Sequence, residues 1–344
     1  MVDKQHRKGC LVRCIVMTIA ALVSAGAPAV QAAGSAEEFY KGKTITYIVA
    51  TSPGGGYDTY GRLIARYMNK YMRDSKIIVR NIPGAGHVVG ANTIYAAKPD
   101  GLTIGTFNTG LIYLQLLQES GVRFDLAKMS WIGKAASDSR VLVVSKSSGI
   151  KSVQQLLDRS KPPVKLFAAG VGSAGYIDTR LAISAIHLNV QLIPGYNGNE
   201  GTMSMLRGET QGTIGSESSY AQFVGDGNGL YILEAGGPTG SRIPQAEQFA
   251  HDENSRRLLK MIAAESDLAR PTAGPPGIPA DRLELLRKVF MTALADPQLL
   301  TDAKKMDAPI AAASGEHVQA VIADALRQTP QNLQLLVQAV KAGQ

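Results

Sequence analysis

The chain has 344 residues, 36 basic against 28 acidic side chains, a formal charge of +8 and 45% hydrophobic residues. That length suggests two domains, each with its own core; the mild positive excess, spread along the chain with one Trp, argues against nucleic acid and for small anions. Both cysteines, Cys10 and Cys14, lie near the start, so the rest of the chain holds no thiol for a disulfide, a nucleophile or a metal.

In chain order, Lys4, Arg7, Lys8 and Arg13 precede an apolar stretch from Ile15 to Val30, broken by Gly26 and Pro28. Val30-Gln31-Ala32 then offers small residues to a signal peptidase. This is the plan of a secretory signal peptide over 1–32, cleaved after Ala32, and the stretch is shorter than the roughly 20 residues a bilayer span needs. Cys14 precedes the apolar stretch beside Arg13, an unsuitable place for a lipid anchor. The expectation is a soluble protein exported to the periplasm.

Beyond it, short β-branched runs predict strands over 44–50, 76–80, 102–107, 141–144, 164–168, 190–193, 211–214 and 230–233. Helical patterns lie between them. Over 59–72, Leu63, Ile64, Tyr67, Met68, Tyr71 and Met72 share one face, with Asp58 placed as the N-cap. Ser152 and Gln155 have the spacing of a capping box. The last 65 or so residues read as helices broken at Pro297, Pro309 and Pro330. The alternation predicts an α/β fold of two lobes, each a mainly parallel sheet flanked by helices, with a cleft and a hinge between. One lobe spans 33–138 with 266–344 and the other 139–265; 235–244 reads as a surface loop and 270–279 as the second crossing.

Glycine turns recur directly after strands and before helices: Ser52-Pro-Gly-Gly-Gly-Tyr-Asp58, Ile82-Pro-Gly-Ala-Gly86, Ala169-Gly-Val-Gly-Ser-Ala-Gly175 and Pro194-Gly-Tyr-Asn-Gly198. Such a turn leaves unpaired amides at a helix start, and glycine lets an anion approach them. The first and third turns therefore predict a site whose Gly55, Gly56, Tyr57, Ser173 and Ala174 amides hold the ligand. Asn108, Thr109, Asn197 and Ser216 join it because they stand at strand ends.

Two rival chemistries fit less well. Gly170-Val-Gly-Ser-Ala-Gly175 matches a dinucleotide fingerprint, but the next strand ends in Ile193-Pro-Gly195 instead of an acid. Ser173 approximates the nucleophile of an exported hydrolase, but Val171 stands where that elbow needs glycine. Of His87, His187, His251 and His317, only His87, at a helix start, is placed to touch a ligand; no histidines show metal-ligand spacing and no acid–base pair is evident. Neither catalysis, a metal nor a cofactor is expected.

The runs Lys43-Thr-Ile-Thr-Tyr-Ile-Val-Ala-Thr-Ser-Pro-Gly-Gly-Gly-Tyr-Asp58, Val79-Arg-Asn-Ile-Pro-Gly-Ala-Gly86 and Ala97-Lys-Pro-Asp-Gly-Leu-Thr-Ile-Gly105 resemble the tripartite tricarboxylate transporter substrate-binding (Bug) family. Pro279-Ala-Asp-Arg-Leu283 and Ala293-Leu-Ala-Asp-Pro297 are similar to its late helices. The resemblance implies a two-lobed periplasmic binding protein, type II-like and monomeric. Its ligand would be a small di-, tri- or aromatic carboxylate held largely by backbone amides and water, and its partners the permease subunits of a tripartite transporter or, alternatively, a membrane signalling protein. By position the loops map to Pro53, Gly54, Gly55, Gly56, Tyr57 and Asp58 and to Gly172, Ser173, Ala174 and Gly175. Pro194-Gly-Tyr-Asn-Gly198, Glu217 and the bulky Tyr57 depart from the family pattern near the predicted rim, and Tyr57 favours an aromatic or extended acid over citrate.

Overall fold

The computed structural model describes residues 35–341 apart from 73, 197, 198 and 239; the expected signal peptide lies outside the described residues. Its strands are β1 (Thr44–Val49), β2 (Lys76–Asn81), β3 (Thr103–Thr106), β4 (Ser130–Lys134), β5 (Arg140–Ser145), β6 (Val164–Ala168), β7 (Val190–Pro194), β8 (Gly212–Ser216), β9 (Gly229–Ala235), β10 (Pro271–Gly274) and β11 (Ala313–Ser314). The helices are α1 (Ala36–Tyr40), α2 (Gly56–Tyr71), α3 (Val88–Tyr95), α4 (Leu111–Leu116), α5 (Gln154–Leu157), α6 (Ala174–Ile186), α7 (Glu200–Leu206), α8 (Glu217–Gly225), α9 (Glu253–Ala264), α10 (Ala280–Leu294), α11 (Pro297–Lys305), α12 (Gly315–Leu326) and α13 (Pro330–Lys341). None of these helices is long and apolar enough to cross a membrane.

The strands form two sheets, ordered β11-β4-β10-β3-β1-β2 and β7-β6-β8-β5-β9. Both are mixed, not mainly parallel. In the first, β1 pairs in parallel with β2 and β3, while β10 joins β3 and β4 antiparallel. In the second, β6 is parallel to β7 and β8, while β5 lies antiparallel between β8 and β9. β5 and β10, each the first strand after the chain crosses from one sheet to the other, enter from the opposite end and so run antiparallel to their neighbours. Part of the expected crossing over 270–279 is thus the sheet strand β10, which Pro271 can open because a first strand position tolerates a missing N–H.

Core formation follows the apolar patterns. In β1, Ile45, Tyr47 and Val49 alternate inward, and the α2 stripe of Leu63, Ile64, Tyr67 and Met68 is buried against the first sheet and α10. Trp131 is fully buried, donates its indole N–H to the Leu126 carbonyl at 2.9 Å and packs on Phe107. Truncating such a ring costs about 3–5 kcal/mol. Helix α2 begins at Gly56, earlier than expected, with Gly55 as its N-cap, so Asp58 works from inside the first turn. Its Oδ2 accepts from the Gly54 amide at 2.9 Å and Arg62 Nε at 3.0 Å, and its Oδ1 from Asn81 Nδ2 at 2.9 Å. Burial pushes this carboxyl up, but those bonds outweigh it and hold it below the usual range. Half of the expected capping box forms: Gln155 Oε1 accepts from the amides of Lys151 and Ser152 ahead of α5.

The two crossings run side by side. The Ala135 and Ala136 amides donate to the carbonyls of Arg270 and Ala269, and the Asp138 amide to Ser266 at 2.8 Å. Helices α10 and α12 pack on β4 and α11 on α2, completing the first sheet's side. The last helix departs from that arrangement: α13 lies on α6 and α9, beside the second sheet.

Candidate functional site

Between the two sheets lies a cleft of about 230 Å³. Its two principal turns share one physical plan. After β1, the chain turns through Gly54 at φ +87° into α2; after β6, it turns through Gly172 at φ +90° into α6. Each turn presents the first amides of its helix, which have no carbonyl one turn back to bond. The dipole of each helix adds a positive end at the same place.

The walls approach one another closely. A Cβ on Gly86 would stand 2.5 Å from the Ser173 amide nitrogen, one on Gly110 2.6 Å from Ala174 Cα, and one on Gly54 2.8 Å from Asn199 Nδ2. Glycine permits backbone-to-backbone contact across the cleft at Gly86 and Gly110, at Gly86 with φ +60° as well, and lets the Asn199 side chain reach the backbone at Gly54. Gly175 serves packing instead, since a Cβ there would lie 2.6 Å from the Ile214 carbonyl, and its absence seats α6 on β8. The spaced glycines of 170–175 are thus accounted for by turn geometry and helix–strand packing.

Of the residues expected from sequence, Gly54, Gly55, Gly56, Tyr57, Asn108, Ser173, Ala174 and Ser216 line the cleft together. Four others do not. Pro53 is exposed on the outer turn, Asp58 faces Gly54, Arg62 and Asn81, and Gly172 turns against Leu114. Thr109 lies behind the wall, its hydroxyl donating to Glu265 Oε2 at 2.6 Å. Asn197 lies outside the described residues. The Ser173 hydroxyl donates to the Gly170 carbonyl at 2.8 Å and accepts from the Tyr176 amide at 3.3 Å, a helix cap with its proton already placed. Among the described residues no base is bonded to this hydroxyl, which serves as the cap of α6.

His87 is buried in the wall at φ +83°, with its ring edge-on to Tyr57 at 5.2 Å. Burial, with Arg270 nearby, pushes its imidazole down to about 3 and keeps it neutral. Its Nδ1 and the Asn108 Oδ1 are buried without hydrogen-bond partners, while Asn108 Nδ2 donates to the Gly86 carbonyl at 2.9 Å. Unmet polar atoms in a cleft wall are available to a bound molecule. Across the cleft, Phe167 makes edge contacts with Tyr196 and Tyr220, and all three line the wall.

Two buried guanidiniums are not foreseen from the sequence. Arg140, at the start of β5, lines the cleft; its Nε donates to Asp178 Oδ2 at 2.7 Å, its Nη2 makes a second bond to the same oxygen, and its Nη1 donates to Ser216 Oγ at 2.8 Å. Arg270, on the second crossing, lies beneath the first turn. Its Nη2 donates to Asp138 at 3.2 Å, Ser218 at 2.9 Å and Ser219 at 3.0 Å. Its guanidinium carbon sits 4.4 Å from the Tyr57 ring centroid and 5.0 Å from that of Tyr60. No local pattern marks either arginine in sequence, because their partners come from distant elements.

A larger hollow of about 850 Å³ opens beside the crossings, lined by Asp138, Glu217, Asp267 and Asp307 with Lys304 as a cation. Its acidic lining disfavours an anion, so the smaller cleft is the candidate site. Among the described residues, no group of three or more His, Cys, Asp or Glu is arranged to hold a metal.

Comparison with known proteins accords with this geometry. The model of the tripartite tricarboxylate transporter family receptor matches residues 61–335. The chain is 29% identical over 194 residues to the UPF0065 protein in the tcbD-tcbE intergenic region of Pseudomonas sp. (strain P51), a match covering 54% of this chain and 56% of that protein. It is 26% identical over 269 residues to the UPF0065 protein in the TAR-I ttuE-ttuC' intergenic region of Agrobacterium vitis, covering 77% and 75%. In fold it is similar to the periplasmic binding protein BugD, with TM-score 0.72 at 19% identity, covering 87% of this chain and 98% of that one. It is similar also to MatC from Rhodopseudomonas palustris, solved with bound malate, with TM-score 0.68 at 17% identity, covering 87% and 99%. A further R. palustris protein, solved with adipate, has TM-score 0.70 at 17% identity, covering 87% and 97%. A mixed two-sheet fold with helix starts facing one cleft, and a family match across most of the described chain, lead to one assignment: the chain belongs to the tripartite tricarboxylate transporter receptor family.

Proposed function

We propose that this chain is a periplasmic solute-binding protein that captures a small organic carboxylate and delivers it to the permease subunits of a tripartite-type transporter. The observation that carries the reading is the meeting of two helix starts, at Gly56-Tyr57 and Ala174-Gly175, on one small cavity. Amides so placed bind a carboxylate by charge-assisted hydrogen bonds, each contributing about 1.5–3 kcal/mol. Malate and adipate in two proteins of similar fold support the ligand class. The aromatic wall of Phe167, Tyr196 and Tyr220 suits the ligand's carbon skeleton.

In this reading residues 1–32 direct export and are removed, and the mature chain works as a monomer. Its lobes are 33–138 with 266–344 and 139–265, with α13 of the first packed on α6 and α9 of the second, and closure about the crossings changes the surface offered to the membrane partner. Catalysis is no part of the reading: Ser173 caps a helix and lacks a bonded base. Thermal unfolding against a panel of di- and tricarboxylates, aromatic acids and amino acids tests it. A ligand confined to the folded state raises the midpoint by mass action. A raised midpoint with one or two acids is expected; no rise with any acid would sink the carboxylate reading.

A further inference from the structure

Behind the cleft wall, four side chains from separate elements form a buried polar chain. Arg140 of β5 is in the wall, Asp178 of α6 lies behind it, Glu265 begins the second crossing, and Thr109 follows β3. Asp178 Oδ2 accepts both bonds from Arg140, and Glu265 Oε2 accepts the Thr109 hydroxyl at 2.6 Å. The other carboxyl oxygens, Asp178 Oδ1 and Glu265 Oε1, are buried with no hydrogen-bond partner among the described residues. The two carboxyls lie close enough to act on one another, and burial pushes both of them up. Two neighbouring buried carboxyls resist carrying two negative charges, and one proton between them would also satisfy the two oxygens that lack a donor.

This chain of contacts leaves Arg140 with something to offer. A guanidinium has five N–H groups. Its partners use one on Nε, one on Nη1 and one on Nη2, leaving one N–H on each terminal nitrogen of a residue that lines the cleft. While the acid pair keeps its proton, one cation faces one anion and the group is neutral overall. Losing the proton would make it net negative beside a cleft meant for anions.

Resting on the proposed capture of a carboxylate, we infer that Arg140 is the specificity-determining residue for a second acidic group on the ligand. Asp178 and Glu265 are its positioning residues, and they do that work by sharing one proton. The preferred ligands are therefore dicarboxylates: one carboxylate takes the helix-start amides and the other takes Arg140. Burial, reinforced by Asp178, pushes the Glu265 carboxyl up to about 8. The charged and titratable groups around it are Asp178 from α6, Arg140 from β5, and the phenols of Tyr113 from α4 and Tyr57 from α2, both pushed up by burial. None of these supplies a second cation when the proton leaves. Dicarboxylate affinity should therefore be level below that pH and fall above it, by up to tenfold per pH unit.

The test is calorimetric titration of the full chain with adipate and hexanoate from pH 6 to 9.5, in wild type, Arg140→Gln and Glu265→Gln. Wild type should bind adipate at least tenfold more tightly than hexanoate, with the alkaline fall confined to adipate. Arg140→Gln should erase the preference while keeping hexanoate affinity. Glu265→Gln, a permanent mimic of the protonated acid, should keep the preference and lose the fall, which a merely structural role would not produce. If Arg140→Gln does not fold, the Glu265→Gln pH profile decides. An unchanged preference in Arg140→Gln, or an unchanged alkaline fall in Glu265→Gln, overturns the inference and leaves carboxylate capture standing. Wild type that binds no acid in a wider carboxylate panel overturns both.

Discussion

The neighbourhoods of Arg140 and Arg270 solve the same problem in opposite ways. Both guanidiniums are buried and both meet an aspartate. Arg140 is held at its edges by Asp178 and Ser216 and lines the cleft. Arg270 is held on its faces by Tyr57 and Tyr60, and its Nε and Nη1 have no hydrogen-bond partner. Edge bonding fixes direction and leaves defined N–H groups for a ligand. Face stacking fixes position while tying α2, α8 and the two crossings at one point. The first suits recognition and the second suits a hinge, where the residue must hold elements that move relative to one another.

Breaking each charge pair is the sharpest probe of that difference. Asp178→Ala strands Arg140 without its carboxylate and should cost about 3–5 kcal/mol, read from the denaturant midpoint. Arg270→Met leaves Asp138 with the Ser218 amide and hydroxyl as donors, and should cost about 3 kcal/mol, at the low end of that range. A larger loss at Arg270 than at Asp178 would mean that the stacked pair, not the edge-bonded one, is the stronger anchor.

Stability should also depend on pH in a way that separates the two regions. Glu265 is raised from its ordinary 4.5 to about 8, so its contribution is complete below 4.5 and is lost as pH rises through 8. His87 is lowered from 6.5 to about 3, so the unfolded chain binds the extra proton and stability is lost as pH falls through that window. The two slopes, each up to about 1.4 kcal/mol per pH unit, cancel between about 4.5 and 6.5 and leave a plateau with a fall on either side. Glu265→Gln should flatten the alkaline side and His87→Gln the acid side, as followed by thermal melting. An unchanged alkaline slope in Glu265→Gln would remove the shared proton from the Arg140 neighbourhood.

Smaller effects test the cleft itself. Gly86→Ala puts a Cβ 2.5 Å from the Ser173 amide nitrogen at a left-handed φ, and should weaken ligand affinity about tenfold by holding the walls apart. Ser173→Ala removes a helix cap and should cost about 1 kcal/mol of stability. Loss of an ester-hydrolysing activity on that substitution would instead revive the nucleophile reading.

What the sequence made legible was local. The alternation in Thr44–Val49, the α2 stripe and the glycine turns each depend on residues a few positions apart, so the five strands of the second sheet, the parallel strands of the first and most of the turn contacts are legible. The antiparallel strands β4 and β10 are short and gain their identity only by pairing across the chain's return, with Pro271 disguising the start of β10. Asp58 lies inside the first turn of α2 and not at its N-cap, because three consecutive glycines let the helix begin before it. Arg140 was invisible as a site residue because Asp178, Glu265 and Ser216 converge on it only through the fold.

The most direct test of carboxylate capture is calorimetric titration of the full chain with malate and adipate, beside Ala169→Trp, whose indole would occupy the cleft that Ala169 lines. Wild type should bind at least one of the two acids, and the variant should melt like wild type yet bind neither. Binding that survives Ala169→Trp unchanged, or wild type that binds neither acid, would contradict capture of such acids in this cleft.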